Sequence, residues 1–159
     1  MEFKRLTAEY DRPLADMIRR NLKMYGLDIP GTAYYDEGLD HLSEFYLKDS
    51  KHRAYFVLVR ESVPVGGIGL AEFDGFQGCA ELQKLYLSDS VKGQRLGYRM
   101  IAKIEDTARE LGYRQIYLET HTNLQAAIHI YEKSGYRQIE RPASVVHSTM
   151  NRFYLKELV

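Results

Sequence analysis

The segment at residues 87–98 reads LSDSVKGQRLGY and connects a predicted strand to a predicted helix. Gly93 and Gly97 allow the backbone to turn tightly and to point successive N–H groups toward one place. The helix that follows adds the positive end of its dipole, and Lys92 and Arg95 add charge. The segment therefore predicts a site for an anion such as a diphosphate. An ordinary strand–helix turn would also explain the two glycines.

Two familiar nucleotide-binding motifs are missing from this segment. It contains neither the G-x-x-x-x-G-K-[ST] pattern of nucleotide triphosphatases nor the G-x-G-x-x-G pattern of dinucleotide folds. A nucleotide hydrolase would need a lysine followed by serine or threonine to reach the phosphates and a metal. Gly97 and Tyr98 stand there instead, so the sequence argues against that class of enzyme.

Strands and helices can be predicted on both sides of this segment. Three β-prone runs separated by turns indicate an antiparallel meander before it. A strand, a helix and a strand follow each other within about thirty residues, so the fourth and fifth strands should be parallel. The predicted strands are residues 3–6, 55–59, 65–73, 79–87, 115–119, 137–139 and 150–155. The predicted helices are residues 11–26, with Asp11 as cap, 36–48, 97–111 and 124–134.

The composition excludes several classes of function. The 22 basic and 22 acidic residues balance, so clustered phosphate contacts of a nucleic-acid-binding protein are not expected. No apolar run approaches the roughly 20 residues of a membrane span, and no signal-peptide core follows the N-terminus. We therefore expect a cytoplasmic protein without membrane contact. The five histidines lack metal-ligand spacing and Cys79 is the only cysteine, so we expect no metal site.

The anion segment and its flanks resemble the GNAT superfamily of N-acetyltransferases. Lys92 and Gly97 stand at the first and last positions of a sequence similar to the family's R/Q-x-x-G-x-G/A signature. Residues 80–87 look like its fourth strand, and residues 127–136, AIHIYEKSGY, closely resemble its A-I-x-L-Y-E-K-x-G-F segment. The resemblance implies an α/β (α+β) fold in a single domain, residues 1–159. Its mixed sheet of about six to seven strands would be antiparallel except for a parallel, splayed fourth and fifth pair, with about four flanking helices.

The resemblance also implies a reaction and a cosubstrate. The acetyl group of acetyl-CoA would pass directly to a primary amine in a ternary complex, with backbone N–H groups stabilising the oxyanion. Backbone groups of the fourth strand would hold the pantetheine arm where the two strands splay. The implied cofactor-binding residues are Leu85, Tyr86, Leu87, Lys92, Gly93, Gln94, Arg95, Leu96, Gly97, Tyr98 and Asn123.

Two residues are the implied catalytic groups. Tyr131 lies on the helix after the fifth strand, where the family's proton-donating tyrosine lies, and a phenol can protonate a thiolate. Glu81, at the start of the fourth strand, would take the proton of the amine through water. By strand alternation its side chain should share a face with Gln83, Leu85 and Leu87. Tyr131 as a core residue, and Glu72 or Glu119 as the base, are the alternatives.

Two positions depart from the family pattern. Arg95 replaces the usual central glycine of the loop, so we expect an ordinary backbone conformation there, with its side chain either on phosphate or in solvent. Asn123 lies one residue earlier than the family's asparagine, which favours a helix cap over a cofactor contact.

The acceptor amine and the rival function stay open. Residues 24–46 and 141–149 should contact the acceptor, and they offer Tyr25, Tyr34, Tyr35, Asp36, Glu37 and His147; His121 could also contact it. A peptide, a lysine, a polyamine, an amino acid or an aminoglycoside would all fit. Whether the chain forms a homodimer is also open. The main alternative is a non-catalytic acyl-CoA-binding sensor of the same fold, which could dispense with Tyr131.

Overall fold

The computed structural model describes residues 1–146 and 148–159 and contains one seven-stranded sheet. The strands are β1 Glu2–Arg5, β2 Ala54–Arg60, β3 Val63–Glu72, β4 Cys79–Leu87, β5 Gln115–Thr120, β6 Arg137–Ile139 and β7 Arg152–Glu157. The helices are α1 Asp11–Met24, α2 Leu42–Lys48, α3 Leu96–Glu110 and α4 Gln125–Lys133. Among the helices of this described part, none is both long enough and apolar enough to cross a bilayer.

The order of strands confirms the predicted mixed sheet. It runs β1-β2-β3-β4-β5-β7-β6, and every neighbouring pair is antiparallel except β4 and β5. The parallel pairing of β4 with β5 is short: it begins at Cys79 opposite Gln115 and ends at Glu81 opposite Tyr117. Both strands continue beyond that point, so they diverge and leave a cleft between them.

Helices cover both faces of the sheet. On one face, α3 and α4 pack over a cluster that includes Leu82, Ile104 and Tyr131. On the other face, α1 and α2 pack over a second cluster that includes Leu14, Tyr46 and Val57. Strand β2 supplies residues to both clusters, which explains its continuous apolar sequence.

The first two helices differ from their predictions at their starts. Asp11 is the first residue of α1 and not its cap. Its carboxylate instead accepts hydrogen bonds from the backbone N and the hydroxyl of Ser43, at 2.9 and 2.6 Å. The predicted helix at residues 36–48 is divided into a 3-10 turn, Glu37–His41, and the α-helix α2. The contact between Asp11 and Ser43 joins the first turns of α1 and α2.

The glycines of β3 make room for aromatic rings, and the register of β3 against β4 shifts between Gly67 and Gly69. A Cβ on Gly67 would lie 2.4 Å from the hydroxyl of Tyr55. A Cβ on Gly69 would lie 2.7 Å from the hydroxyl of Tyr46 and 2.7 Å from the ring of Tyr55. The two tyrosine rings, 5.0 Å apart, therefore lie directly over glycine backbone.

Replacement of Gly69 by alanine should therefore destabilise the protein, although alanine is the better residue for a strand. The new methyl group would displace two buried rings, which we expect to cost about 1–3 kcal/mol of unfolding free energy. Gly38→Ala is the matched control, because a Cβ there has no neighbour within 4 Å, and it should change stability by less than about 0.5 kcal/mol. Urea denaturation of both variants measures the difference. Equal stabilities would contradict the steric role of Gly69.

Candidate active site

A cleft of about 260 Å³ lies where β4 and β5 diverge. Its walls are largely apolar and come from both strands, from α1 and its following loop, and from α4. The lining residues are Asn21, Leu22, Tyr25, Thr32, Ala33, Leu82, Lys84, Leu85, Tyr86, Leu87, Lys92, Gly97, Glu119, Thr120, Leu124, Ala126, Ala127, Ile130, Tyr131 and Met150. The residues predicted to hold the pantetheine arm, Leu85, Tyr86 and Leu87, are among them.

The edge of β4 that faces the cleft has no partner in β5 beyond Glu81. Its peptide groups on the other edge remain paired with β3 as far as Leu87. A strand edge of this kind can form hydrogen bonds with an extended ligand, because its N–H and C=O groups are free of a second strand.

A bulge in β4 changes which side chains face the cleft. Lys84 has φ 50°, and its carbonyl accepts a hydrogen bond of 2.9 Å from the buried phenol of Tyr55. After this residue, Leu85 and Leu87 pack against the cluster under α3 and α4, while Tyr86 packs against the other cluster. The expectation that Glu81 shares a face with Gln83 is confirmed, since the two side chains are hydrogen-bonded. The same expectation for Leu85 and Leu87 is wrong, because the bulge interrupts strand alternation. Lys84, which carries the bulge, gave no signal in the sequence.

The loop before α3 has the backbone of an anion site. Gly93 has φ 82°, with open space around the position of a Cβ. Arg95 also has a left-handed conformation, φ 58° and ψ 22°, so the ordinary conformation predicted for it is wrong. It precedes α3 without a side-chain cap among the described residues, and no acidic residue occupies the first turn. The N–H groups at this helix end are therefore available to an anion.

The side chains of the loop divide into exposed and buried groups. Gly93, Gln94 and Arg95 are exposed, and the guanidinium of Arg95 lies 4.8 Å from the ring centre of half-buried Tyr98. Leu96 is buried in the core. Gly97 has no left-handed backbone and serves close packing instead, because a Cβ there would lie 2.8 Å from Ile130 of α4.

Lys92 lines the cleft and is held by two side chains. Its ammonium lies 2.6 Å from Asp89 and donates a hydrogen bond of 2.7 Å to the hydroxyl of Tyr25. Partial burial acts to lower its pKa, but the bonds to Asp89 and Tyr25 outweigh burial and raise the pKa. Lys92 is thus a charged group at the end of the cleft nearest α3.

The loop after α1 crosses the cleft and contacts both of its sides. Besides the bond from Lys92, Tyr25 accepts a hydrogen bond of 2.9 Å at its carbonyl from the amide of Asn123. Thr149 donates to the carbonyl of Pro30 at 3.0 Å. Asn123 does not cap α4, since Leu124 is the cap residue and makes no side-chain cap bond, so the predicted capping role is wrong. Sequence spacing could not reveal these contacts between distant segments.

Tyr131 is a buried side chain of α4 that lines the cleft. Its hydroxyl neither donates nor accepts a hydrogen bond within the described part of the chain. The hydroxyls of Tyr117 and Tyr154, by contrast, donate hydrogen bonds to glutamates. Burial, and then the proximity of Tyr86, raise the pKa of Tyr131, so the phenol is protonated near neutral pH. It can therefore donate a proton to a group in the cleft.

Glu81 lies beside the cleft on the face of β4 that α1 and α2 cover. Its carboxylate accepts a hydrogen bond of 3.0 Å from the amide of Gln83. Burial, together with the charge of Glu119 and against the hydrogen bond from Gln83, raises the pKa of Glu81 to about 7. A carboxylate with such a pKa is suited to take a proton near neutral pH.

The competing carboxylates have different surroundings. Glu119 lines the cleft and accepts hydrogen bonds from Tyr117 at 2.8 Å and from Ser148 at 3.0 Å. Glu72 is bound by the guanidinium of Arg53 at 2.6 Å, which lowers its pKa and makes it a poor base. The structure thus places Glu81 near enough to Glu119 for their charges to interact, but only Glu119 lines the cleft, and Glu72 is paired with Arg53.

Cys79 and His121, the other candidate residues, are poorly placed for a role in the site. Cys79 is buried, and burial raises the pKa of its thiol to about 12, which makes it a poor nucleophile. The ring of His121 accepts a hydrogen bond from the backbone N of Asn123 and does not line the cleft. Within residues 1–146 and 148–159, no cluster of three potential metal ligands occurs.

Only part of the predicted acceptor segments lines the cleft. Tyr25 and Ala33 line it, whereas Tyr35 is exposed and forms an edge contact with Tyr34. The charge of Asp36 contributes to a raised pKa of Tyr86, after burial. Asp36 and Glu37 are exposed, and His147 lies outside the described residues.

Solved structures of similar fold include several acetyltransferases. A GNAT-family acetyltransferase from Staphylococcus aureus Mu50 superposes with TM-score 0.86 at 22% identity over 99% of each chain. The PaiA N-acetyltransferase of Thermoplasma acidophilum, solved with coenzyme A, gives TM-score 0.77 at 18% identity over 98% of each chain. An aminoglycoside 6'-N-acetyltransferase complexed with coenzyme A gives TM-score 0.73 at 18% identity, and the match covers 100% of this chain and 98% of that one. These similarities establish the fold.

Sequence similarity establishes the family. The profile of the Acetyltransferase (GNAT) family matches residues 22–136. The uncharacterized N-acetyltransferase YjgM of Escherichia coli (strain K12) is 34% identical over 139 residues, which cover 86% of this chain and 82% of YjgM. The IAA acetyltransferase of Azospirillum brasilense is 31% identical over 81 residues, about half of each chain. The cleft, the anion loop and these matches agree, and the chain belongs to the GNAT acetyltransferase family.

Proposed function

We propose that this protein, acting as a single domain, transfers the acetyl group of acetyl-CoA to a primary amine by direct attack in a ternary complex. The observation that carries the proposal is the position of the Tyr131 hydroxyl, without a partner in the described chain, in the cleft opened by β4 and β5. Family membership supports an acyl-CoA-dependent N-acetyltransferase in general. Two fold neighbours were solved with coenzyme A, which supports the choice of cosubstrate.

The chemistry of the cleft suits such a cosubstrate. Coenzyme A would supply an activated thioester at the end of a long, flexible arm that carries amide groups. The open edge of β4 at Leu85, Tyr86 and Leu87 offers peptide groups to the arm. The loop from Lys92 to Tyr98 offers N–H groups, the dipole of α3 and basic side chains to the pyrophosphate. Asn123 would support the cofactor through Tyr25, which lines the cleft and accepts its hydrogen bond.

The chain's own residues would then divide the proton transfers. Glu81 acts as the base that takes a proton from the ammonium of the acceptor through water, because only the neutral amine has a lone pair. A backbone N–H of β4 polarises the thioester carbonyl. The amine nitrogen bonds to the carbonyl carbon, the C–S bond breaks, and Tyr131 donates its proton to the departing thiolate. The proton that the acylated nitrogen then loses restores the phenol of Tyr131. Glu119, which lines the cleft, is the alternative base.

A sensor that binds acyl-CoA without transfer is the second candidate. It would share the loop and the open strand edge, but it would have no use for a buried phenol with a free hydroxyl at the cleft. The presence of Tyr131 in that position therefore favours the enzyme.

The cosubstrate can be tested by thermal shift. We expect coenzyme A to raise the melting temperature and ATP to leave it unchanged, because the loop lacks the lysine-serine/threonine pair of a triphosphate site. A panel of amines, assayed by thiol release from acetyl-CoA, then identifies the acceptor. Stabilisation by ATP alone would contradict the proposal. Stabilisation by coenzyme A without thiol release on any amine would favour the sensor.

Replacement of Tyr131 by phenylalanine should lower kcat about 100-fold or more, since loss of a general acid removes proton donation to the thiolate. Binding of acetyl-CoA, measured by calorimetry, should stay within about threefold. Tyr154→Phe is the matched control: its buried ring lies in the same cluster, 6.4 Å from that of Tyr131, but its hydroxyl bonds to Glu132. Equal kcat for wild type and Tyr131→Phe would remove Tyr131 from the mechanism.

The pH dependence of kcat/KM should reveal the base. A base with pKa about 7 is ionised above that pH, so the rate should fall as the pH decreases through 7. This acidic limb should be lost in Glu81→Gln together with most of the activity. Acceptors with different amine pKa values separate the limb of the enzyme from that of the substrate. A limb that persists in Glu81→Gln and disappears in Glu119→Gln would assign the base to Glu119.

A further inference from the structure

Three polar side chains on the α1–α2 face of the sheet form a continuous hydrogen-bonded line. The hydroxyl of Tyr46, on α2, donates to Oε1 of Gln83 at 2.7 Å. Nε2 of Gln83 donates in turn to Oε1 of Glu81 at 3.0 Å. Gln83 and Glu81 are two residues apart on β4, ahead of the bulge at Lys84, so their side chains lie on the same face.

The tyrosine end of this line is fixed by packing. Tyr46 is 1% exposed, its ring lies 5.0 Å from that of Tyr55, and its hydroxyl lies over Gly69. A buried hydroxyl left without a partner costs stability, so the phenol holds an acceptor in place. The acceptor is the amide oxygen of Gln83. The amide group of Gln83 is thereby held with its NH₂ directed away from Tyr46.

The other end of the amide meets Glu81. An N–H donor to a carboxylate favours its ionised form and fixes its rotamer. The second carboxylate oxygen of Glu81 accepts no hydrogen bond from the residues that the structure describes. One oxygen is therefore held by Gln83, and the other can accept a proton from a water or an amine.

We propose that Tyr46 and Gln83 are positioning residues for Glu81: the buried phenol sets the direction of the Gln83 amide, and the amide holds the carboxylate ready to accept a proton. This inference rests on the proposed role of Glu81 as the base. None of Tyr46, Gln83 and Glu81 is among the residues that line the cosubstrate cleft. Tyr46 and Gln83 reach Glu81 through the two hydrogen bonds of the line, and they act through it. Strand alternation predicted that Gln83 lies on the face of Glu81, but nothing in the sequence indicated its contact with Tyr46, 37 positions away.

Several other groups act on the same carboxylate and have to be considered. Burial and the charge of Glu119 favour its protonated form, whereas Lys84 and the amide of Gln83 favour the ionised form. The neutral phenols and thiol that face Glu81 from α2, β5 and β4 belong to Tyr46, Tyr117 and Cys79. Gln83 is thus the neutral donor that, together with the charge of Lys84, favours the ionised carboxylate against burial and Glu119.

The test measures the pKa of Glu81 directly, without need of an acceptor. In protein with ¹³C-labelled glutamate, the Glu81 carboxyl signal is assigned by its loss in Glu81→Gln and titrated by NMR. Gln83→Leu removes the donor and should raise the pKa by about half to one unit. Tyr46→Phe keeps Gln83, the donor to Glu81, in place but releases its amide, and should also raise the pKa of Glu81. An unchanged pKa in both variants would overturn the proposal.

A double variant distinguishes a relay from two independent effects. With Gln83→Leu present, Tyr46→Phe should cause no further change in the pKa of Glu81, because the connecting amide is gone. Additive shifts would overturn the relay. Should Tyr46→Phe fail to fold, the pKa of Glu81 in Gln83→Leu alone decides whether the amide acts on the carboxylate. Tyr113→Phe is the control, since it loses a phenol that bonds to the carbonyl of His52, away from this line, and should leave Glu81 unchanged.

Activity provides the second readout. The acidic limb of kcat/KM should move to higher pH in Gln83→Leu and Tyr46→Phe by the shift that NMR records, with KM for acetyl-CoA unchanged. An altered pKa without a matching shift in the limb would show that Glu81 is not the base. Absence of transfer to any amine in the wild type, with the NMR shifts intact, would defeat the proposed function and leave the relay standing.

Discussion

The early end of the pairing between β4 and β5 is the constraint on which the site depends. The two strands pair only from Cys79 to Glu81, and both continue after separating. Parallel strands that remained paired would satisfy each other's peptide groups and leave no room between them. Because they separate, the sheet keeps its seven strands and also contains a cleft lined by backbone. The helices on both faces then close that cleft from above and below.

The bulge at Lys84 gives the cleft its two distinct sides. Ahead of it, Glu81 and Gln83 lie toward α1 and α2, where titratable groups gather. After it, Leu85 and Leu87 lie toward α3 and α4 and help to form an apolar wall. Tyr55 holds the bulge through the carbonyl of Lys84, and Gly67 leaves room for Tyr55. A glycine in β3 thus determines, through one ring, how β4 presents its side chains.

Hydrophobic periodicity and turn residues predicted most of the fold, because burial acts on each segment separately. All seven strands and four helices were predicted, with errors of a few residues at their ends, and Asp11 was assigned as a cap when it joins two helices. The sequence could not predict the left-handed Arg95, since glycine is the usual residue for that conformation. Nor could it predict contacts such as Tyr46 with Gln83 or Tyr25 with Lys92, because these join segments that only the folded chain brings together.

Gly97 shows how a residue of the anion loop also fixes a distance. It lies against Ile130, the neighbour of Tyr131 in α4: a Cβ at Gly97 would lie 2.8 Å from the end of that side chain. The start of α3 and the helix that carries the phenol are therefore packed directly against each other. Under the proposed function this contact sets the distance between the anion loop and Tyr131. A carrier anchored by its phosphates then reaches Tyr131 only when its arm has the matching length. Selectivity among thioesters would then depend on the length of the carrier as well as on its charge.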